Sequence, residues 1–429
     1  MNSLVTRRVL LGKAGAIAAA ALLAKPMHGL APQAAKPYRP SPEEDALLEQ
    51  LTRRGCAFFW EQASPNTGQV LDRARAAGPE KRRMASIAAT GFGLAALCIA
   101  DSRGYYPHIQ IVERVRRTLR FHWTTLPQVH GFYFHFSDAE TGITARGSEL
   151  SSIDTTLLLA GILAARAYFD DAEIKYLATK IYERIDWPWM LDEGRTLSMG
   201  WFPDRGFLSA RWDTYSEEMM MYLLAIGSPT HPLSPDHWNY FARPKIKYDG
   251  IEYVSTAAPL FIHQYSHAFV DFRNKRDKYL DYFQNSVDAT RAHKQFCINL
   301  GNPYGDHYWG ITASDSMHGY TAWGGPPKMG RIDGSVVPCA AAGSLAFLPE
   351  DCLRLLSALQ QRFPLAWGRY GFCDAFNPAA PWYDPDVLGI DLGIGVLMPE
   401  NLRTGNVWAN FMKNPEVGAA MRLCGFHRV

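Results

Sequence analysis

The stretch Arg146-Gly147-Ser148-Glu149-Leu150-Ser151-Ser152-Ile153-Asp154-Thr155 runs without a break into Leu157-Leu158-Leu159 and Ile162-Leu163. Between Ser151 and Tyr168, apolar side chains fall on almost every face of a 3.6-residue period, which predicts a helix buried on all sides. Ile87 to Ala100 repeats the pattern, with Gly91 and Gly93 inside it. Val112 to Leu126 and Ala172 to Ile185 carry one apolar stripe each, Glu217 to Ile226 is apolar, and Asp281 to Phe296 and Pro349 to Phe363 are again helical in pattern. Further upstream, Ser41-Pro42-Glu43-Glu44 has the order of a helix start: Ser at the N-cap, Pro at the first position and acids in the first turn. Strand-like alternation is rare, and His130-Gly131-Phe132-Tyr133-Phe134-His135-Phe136 is its best short example. The connecting segments Gly131 to Gly147, Trp187 to Tyr215, Asn299 to Pro338 and Arg369 to Gly395 are long and rich in Gly, Trp, Tyr, Pro and Asp. Long ordered loops of this kind usually carry function. The expected architecture is all-α: helix pairs as scaffold, with aromatic-rich loops forming a cleft at one end, in a single domain over residues 37–429.

Composition narrows the function. With 47% hydrophobic and 20% charged residues in 429, the chain can bury a large core. Lys+Arg at 44 against Asp+Glu at 42 leaves no basic excess to attract nucleic acid. The excess is aromatic, with 12 Trp, 20 Tyr and 22 Phe, many beside Gly, Pro, Asp or Arg. Such rings either build a Trp-rich core or line a site for sugars, whose flat hydrocarbon faces stack on them. Seven cysteines, an odd number without C-x-x-C spacing, argue against a disulfide framework or zinc site. No Walker A, Rossmann or G-x-S-x-G motif occurs, and His263-Gln264-Tyr265-Ser266-His267 lacks the Glu of a zincin. No metal and no cofactor are expected, and His267 is left as polar core or substrate contact.

The N-terminus reads as a leader. Thr6-Arg7-Arg8-Val9-Leu10-Leu11 is a twin-arginine pattern, and the Ala/Leu-rich stretch from Ala14 to Ala24 is too short to span a bilayer. Residues 1–36 are therefore expected to be a Tat-type signal peptide and spacer, delivering the protein to the periplasm or beyond. No later segment is long and apolar enough to cross a membrane.

Acids recur where apolar helices meet aromatic loops. Glu149 and Asp154 stand at the entrance of the buried helix, where they either cap it or face a ligand. In Arg211-Trp212-Asp213-Thr214-Tyr215-Ser216-Glu217-Glu218, one Glu of the following helix start can be desolvated, which raises its pKa as a general acid requires. In Trp382-Tyr383-Asp384-Pro385-Asp386-Val387-Leu388-Gly389-Ile390-Asp391, the last acid sits on a Gly-flanked segment read as a loop open to water. Asp315, in Thr312-Ala313-Ser314-Asp315, is followed by Tyr320 and Trp323. Paired acids plus rings, with no metal or nucleotide signature, point to glycoside hydrolysis. Trp212, Tyr320, Trp382 and Tyr383 flank these acids and are candidate sugar platforms.

These segments resemble the bacterial glycoamylase-like family, which includes endo-β-1,2-glucanases. The matching stretches include Phe59-Trp60-Glu61-Gln62 with Asp72-Arg73, Ser86-Ile87-Ala88-Ala89-Thr90-Gly91-Phe92-Gly93, Ser148 to Thr155, Gly227-Ser228-Pro229-Thr230-His231-Pro232 and Glu400-Asn401 with Arg403-Thr404-Gly405. The resemblance runs from about Leu51 to Phe426. It implies an (α/α)6 toroid that cleaves β-glucan with inversion, with endo-β-1,2-glucanase activity as the leading expectation. It places the general acid at Glu217 and the general base at Asp391, with Asp384 and Asp386 as neighbouring alternatives. It also implies base action through a substrate hydroxyl and a relay of water. Glu149, Asp154, Asp213 and Asp315 are expected as supporting acids. Arg73, Trp212, His267, Tyr320, Trp382 and Tyr383 are expected as substrate contacts. Glu218 departs from the family, standing where a small residue is expected. A monomer acting on β-glucan is expected. The competing readings are a carbohydrate-binding envelope protein without turnover, a transglycosylase or phosphorylase, and an exo-acting glucosidase.

Overall fold

The computed structural model describes residues 38–256 and 259–429. The leader expected over residues 1–36 lies outside them. The first helix, α1 (Pro42–Glu61), begins at a complete capping box: the Ser41 hydroxyl accepts the Glu44 N–H and the Glu44 carboxylate accepts the Ser41 N–H. Next come α2 (Ile87–Ser102), α3 (His108–Thr124), α4 (Ser152–Tyr168), α5 (Ala172–Glu183) and α6 (Met219–Ile226). After them follow α7 (Tyr265–Phe269), α8 (Tyr282–Leu300), α9 (Pro338–Ala342), α10 (Pro349–Arg362), α11 (Gly389–Arg403), α12 (Asn406–Phe411) and α13 (Pro415–Leu423).

The helices sort by burial. α2, α4 and α6 are buried on nearly every face, as their unbroken apolar runs require, and α11 is almost as enclosed. α1, α3, α5 and α10 show one buried stripe and turn the other face to solvent. The enclosed helices pack on one another, α2 against α4 and α11, and the amphipathic ones cover them, α1 against α11 and α5 against α4. Strands are short, four residues at most, and pair in small ribbons. The expected strand around His130 is a tight hairpin, Gln128–Val129 against Phe132–Tyr133, with His130 and Gly131 both at positive φ.

Two expectations change. The helix after Tyr215 starts at Met219 instead of Glu217, with Glu218 at its N-cap. Asp391 lies not on a loop but in the first turn of α11. The glycines that suggested a loop are packing residues: a Cβ on Gly393 would stand 2.3 Å from the Phe92 ring, and one on Gly389 would stand 2.7 Å from Ala89. All seven cysteines are free thiols. Among the described residues no helix is long and apolar enough to cross a membrane.

The backbones of α2 and α4 approach closely at two glycines. A Cβ on Gly161 would lie 1.9 Å from the Gly91 carbonyl oxygen, and one on Gly91 would lie 2.2 Å from that of Leu157. Neither neighbour is a flexible side-chain end, so the helices would have to separate. Gly161→Ala is expected to lose about 1–3 kcal/mol in denaturant unfolding; an unchanged midpoint would show that the contact tolerates a methyl group.

Candidate active site

A continuous series of short pairings runs past the N-termini of the enclosed helices. Asp386–Leu388, which leads into α11, pairs with Arg73–Arg75. Met84–Ser86, which leads into α2, pairs with Phe136–Asp138, and Leu150–Ser151, which leads into α4, pairs with Gly200–Phe202. The bridges Leu71 to Ala85 and Phe134 to Leu150 join these ribbons. This arrangement gathers Arg73, Glu149, Asp154, Asp384 and Asp391 at one end of the helices. The end is suited to carboxylates, because the N-terminal N–H groups and the helix dipole favour negative charge there.

The densest part of the site holds Asp315, Asp374, Asp384 and Asp391, all buried, with Arg73. Arg73 lies 2.6 Å from Asp315, 3.4 Å from Asp72 and 4.0 Å from Asp386. Burial works against its charge, but Asp72, Asp315 and Asp374 outweigh it and raise its pKa. Burial pushes the Asp384 carboxyl up to about 8, with Asp315 adding repulsion. Burial also raises Asp315, against the pull of Arg73. Burial raises Asp374 well above the carboxylate range, helped by Asp391, Asp315 and Asp384. Asp386 is different: Arg82 clamps both its oxygens, at 2.6 and 2.9 Å. Asp391, 4% exposed, receives the Tyr265 hydroxyl at 3.3 Å. Asp374 was not anticipated. Its sequence signal is an acid isolated in an apolar run, Phe372-Cys373-Asp374-Ala375-Phe376.

Glu217 is also buried, 4% exposed, and the neighbouring Ser216 hydroxyl donates to its carboxylate. One segment connects it to Asp391. Ser266 on α7 donates to the Glu217 carbonyl at 2.7 Å and accepts the Met220 N–H, while the adjacent Tyr265 holds Asp391. A second group joins His135, Glu149 and Asp154: the imidazole Nδ1 is 3.1 Å from Glu149 and 3.5 Å from Asp154. Ser151 caps α4 on the Asp154 N–H and donates to the Asp154 carboxylate. Donor atoms in this group, and in Asp315, Asp374 and Asp384, lie within 4.8 Å of one another, close enough to hold a cation. Around Asp315, Asp374 and Asp384, Arg73 already brings positive charge to Asp315.

Three expected site residues, the contacts Trp212 and His267 and the supporting acid Asp213, are placed otherwise. The Trp212 ring is 1% exposed and donates its indole N–H to Ser152 at 2.9 Å, so neither face is open to a sugar. His267 is buried against Phe272, Phe283 and Phe347 and hydrogen-bonded to Ser286, and burial lowers its pKa to about 3. It is a core histidine. Asp213 is exposed, and its carboxylate accepts the hydroxyl of adjacent Thr214, outside both carboxyl groups. Tyr320, Trp382 and Tyr383 are half-buried, and Tyr383 stacks on Phe376.

A family model described as "Putative glucoamylase" matches residues 209–415. The structure of a "putative glucoamylase" from Bacteroides caccae is 30% identical, with a TM-score of 0.82, covering 90% of this chain and 100% of that one. The chain belongs to the glycoamylase-like family. An endo-β-1,2-glucanase from Chitinophaga pinensis, solved with sophorotriose and glucose, is 27% identical with a TM-score of 0.84, covering 90% of this chain and 98% of that one. An exo β-1,2-glucooligosaccharide sophorohydrolase acting at the non-reducing end, from Parabacteroides distasonis, is 28% identical over 419 residues. The match covers 87% of this chain, which spans 57% of that relative's length.

In this glycoamylase-like chain the residue after Glu217 is unusual. Glu218 is fully buried, and among the described residues no side-chain donor reaches either carboxyl oxygen. Burial raises its pKa well above 4.5, the backbone N–H groups of Glu218 and Ser216 oppose the shift, and nearby Glu217 adds to it. The folded protein therefore keeps a proton that the unfolded chain releases. This contribution is complete below the unfolded pKa of 4.5 and declines as pH rises toward the folded one. Glu218→Gln is expected to melt higher than the parent at pH ~7.5, with the gap closing near pH ~4; an equal gap at both pH values would contradict a buried neutral acid.

Proposed function

We propose that this chain is an inverting glycoside hydrolase acting on β-1,2-glucan, most simply as an endo-β-1,2-glucanase, with Glu217 as general acid and Asp391 as general base. The observation that carries the reading is the tie between the two acids: consecutive residues of α7, Tyr265 and Ser266, bind the Asp391 carboxylate and the Glu217 backbone. An inverting mechanism needs a proton donor on the leaving oxygen and an ionised carboxylate for the water side, held in fixed relation. The environments support Asp391 over its two neighbours. Asp384 is neutral at neutral pH, with its carboxyl pushed up to about 8. Asp386 has both oxygens engaged by Arg82.

The substrate class is supported by the similarity to the Chitinophaga endo-β-1,2-glucanase and the Parabacteroides sophorohydrolase. The layering of enclosed and amphipathic helices supports an (α/α)6 toroid formed by one domain over residues 37–429. Tyr320, Trp382 and Tyr383 would offer ring faces to the glucan, and Arg73 would hold the acids beside it. Glu149, Asp154 and Asp315 would orient hydroxyl groups. The twin Arg7-Arg8 supports Tat export to the periplasm or beyond.

The test is to incubate the purified protein with linear β-1,2-glucan and separate the products. An endo enzyme gives a ladder of oligosaccharides from the first minutes; release of sophorose alone assigns exo action. Products from β-1,3- or β-1,4-glucan but not β-1,2-glucan would overturn the linkage. Glu217→Gln and Asp391→Asn should each lower turnover by roughly 100-fold or more with folding intact; parental turnover in either would remove that residue from its role.

A further inference from the structure

We propose that Asp374 is a positioning residue for Asp391: as a neutral carboxylic acid it donates a hydrogen bond to the Asp391 carboxylate, keeping that group ionised and fixed in direction. The inference rests on the reading of Asp391 as the base. Asp374 is 5% exposed and held from several sides. Its own N–H donates to the Asp386 carbonyl at 3.0 Å, and the Asp384 N–H donates to the next carbonyl, that of Ala375, at 2.9 Å. Its Oδ2 accepts the Asp315 N–H at 2.7 Å. Its Oδ1 is buried and accepts no N–H or O–H among the described residues. The Asp374 side chain lies among the carboxyl groups of Asp315, Asp384 and Asp391, and of these Asp391 lines the same cavity with it between α1, α9 and α11. Two carboxyl groups in contact are both acceptors unless one carries a proton, and buried like charges cannot both ionise.

The fold decides which acid carries it. Asp391 stands in the first turn of α11 and receives the Tyr265 hydroxyl, and both favour its anion. The groups facing Asp374 are mostly acidic: Asp315 and Asp384 besides Asp391, with the neutral thiol of Cys373. Arg73 is the cation near it, and that charge is shared with Asp72 and Asp315. Proton and anion thus occupy fixed places, and the pair titrates as a unit.

The test compares Asp374→Ala, Asp374→Asn and Asp391→Asn on β-1,2-glucan. An asparagine at 374 can still accept the Asp315 N–H through its oxygen and donate to Asp391 through its nitrogen. Asp374→Ala is expected to lower kcat by about 10- to 100-fold, as a misplaced reacting group does. KM should stay within about twofold, the pattern of a lost transition-state interaction. The acid limb of kcat/KM should move to higher pH, because Asp391 loses a donor to its anion. Asp374→Asn should recover most of the lost kcat and return the limb to its place. A purely structural role would not give that recovery together with the moving limb. If Asp374→Asn is as inactive as Asp391→Asn, Asp374 is the ionised partner and the proposal falls. A parental pH profile in Asp374→Ala also overturns it. Turnover in Asp391→Asn overturns the assignment of the base, and the proposal with it.

Discussion

A helix buried along its whole length has only its ends at which to satisfy or exploit its free polar groups. α2, α4 and α11 are such helices, and their entrances are where the polar side chains collect. Ser86 caps α2, Ser151 caps α4, and Asp154 and Asp391 occupy the first turns of α4 and α11. The close approach of α2 and α4 through Gly91 and Gly161 leaves little freedom in where those ends fall. The apolar packing and the carboxyl-rich end are thus two results of one constraint.

Placing several acids in a small buried volume would be prohibitive if each kept its charge. Two devices relieve this. Guanidinium groups neutralise the acids nearest the ribbons, Arg73 on Asp315 and Arg82 on Asp386. Protons neutralise others, Asp384 and Asp374, where burial outweighs any stabilisation of the anion. Acids of identical chemistry are separated by surroundings into ion pairs, neutral donors and a carboxylate held by a tyrosine.

Much of the helical scaffold could be read from the sequence, because apolar periodicity and caps are local signals. The Ser41 capping box and the buried run after Ser151 needed no knowledge of distant residues. α11 could not be read in the same way. Its Gly389, Gly393 and Gly395 weigh against a helix locally, and only the Phe92 ring and the Ala89 methyl explain two of them. The clustering of acids with rings marked the right segments, but not which rings face outward. Trp212 sits beside Asp213 in sequence and His267 belongs to a matching polar stretch, yet their contacts with Ser152 and Ser286 turn them into the core. Asp374 was missed although it stands as an isolated acid among apolar neighbours, because its partner Asp315 comes from another segment.

The same reasoning bears on Glu218. In the acid cluster, repulsion among several carboxyls has partners to answer it: Arg73, the Asp315 N–H and the Tyr265 hydroxyl. Among the described residues Glu218 has no side-chain donor on either oxygen. The cations in its region offer little, since Arg243 donates to Tyr282 and to the carbonyls of Phe241 and Trp238. A carboxyl so placed can hold its position only without charge. Within two consecutive residues the chain therefore places a glutamate whose carboxyl has the Ser216 hydroxyl as partner and another that must stay protonated to remain inside.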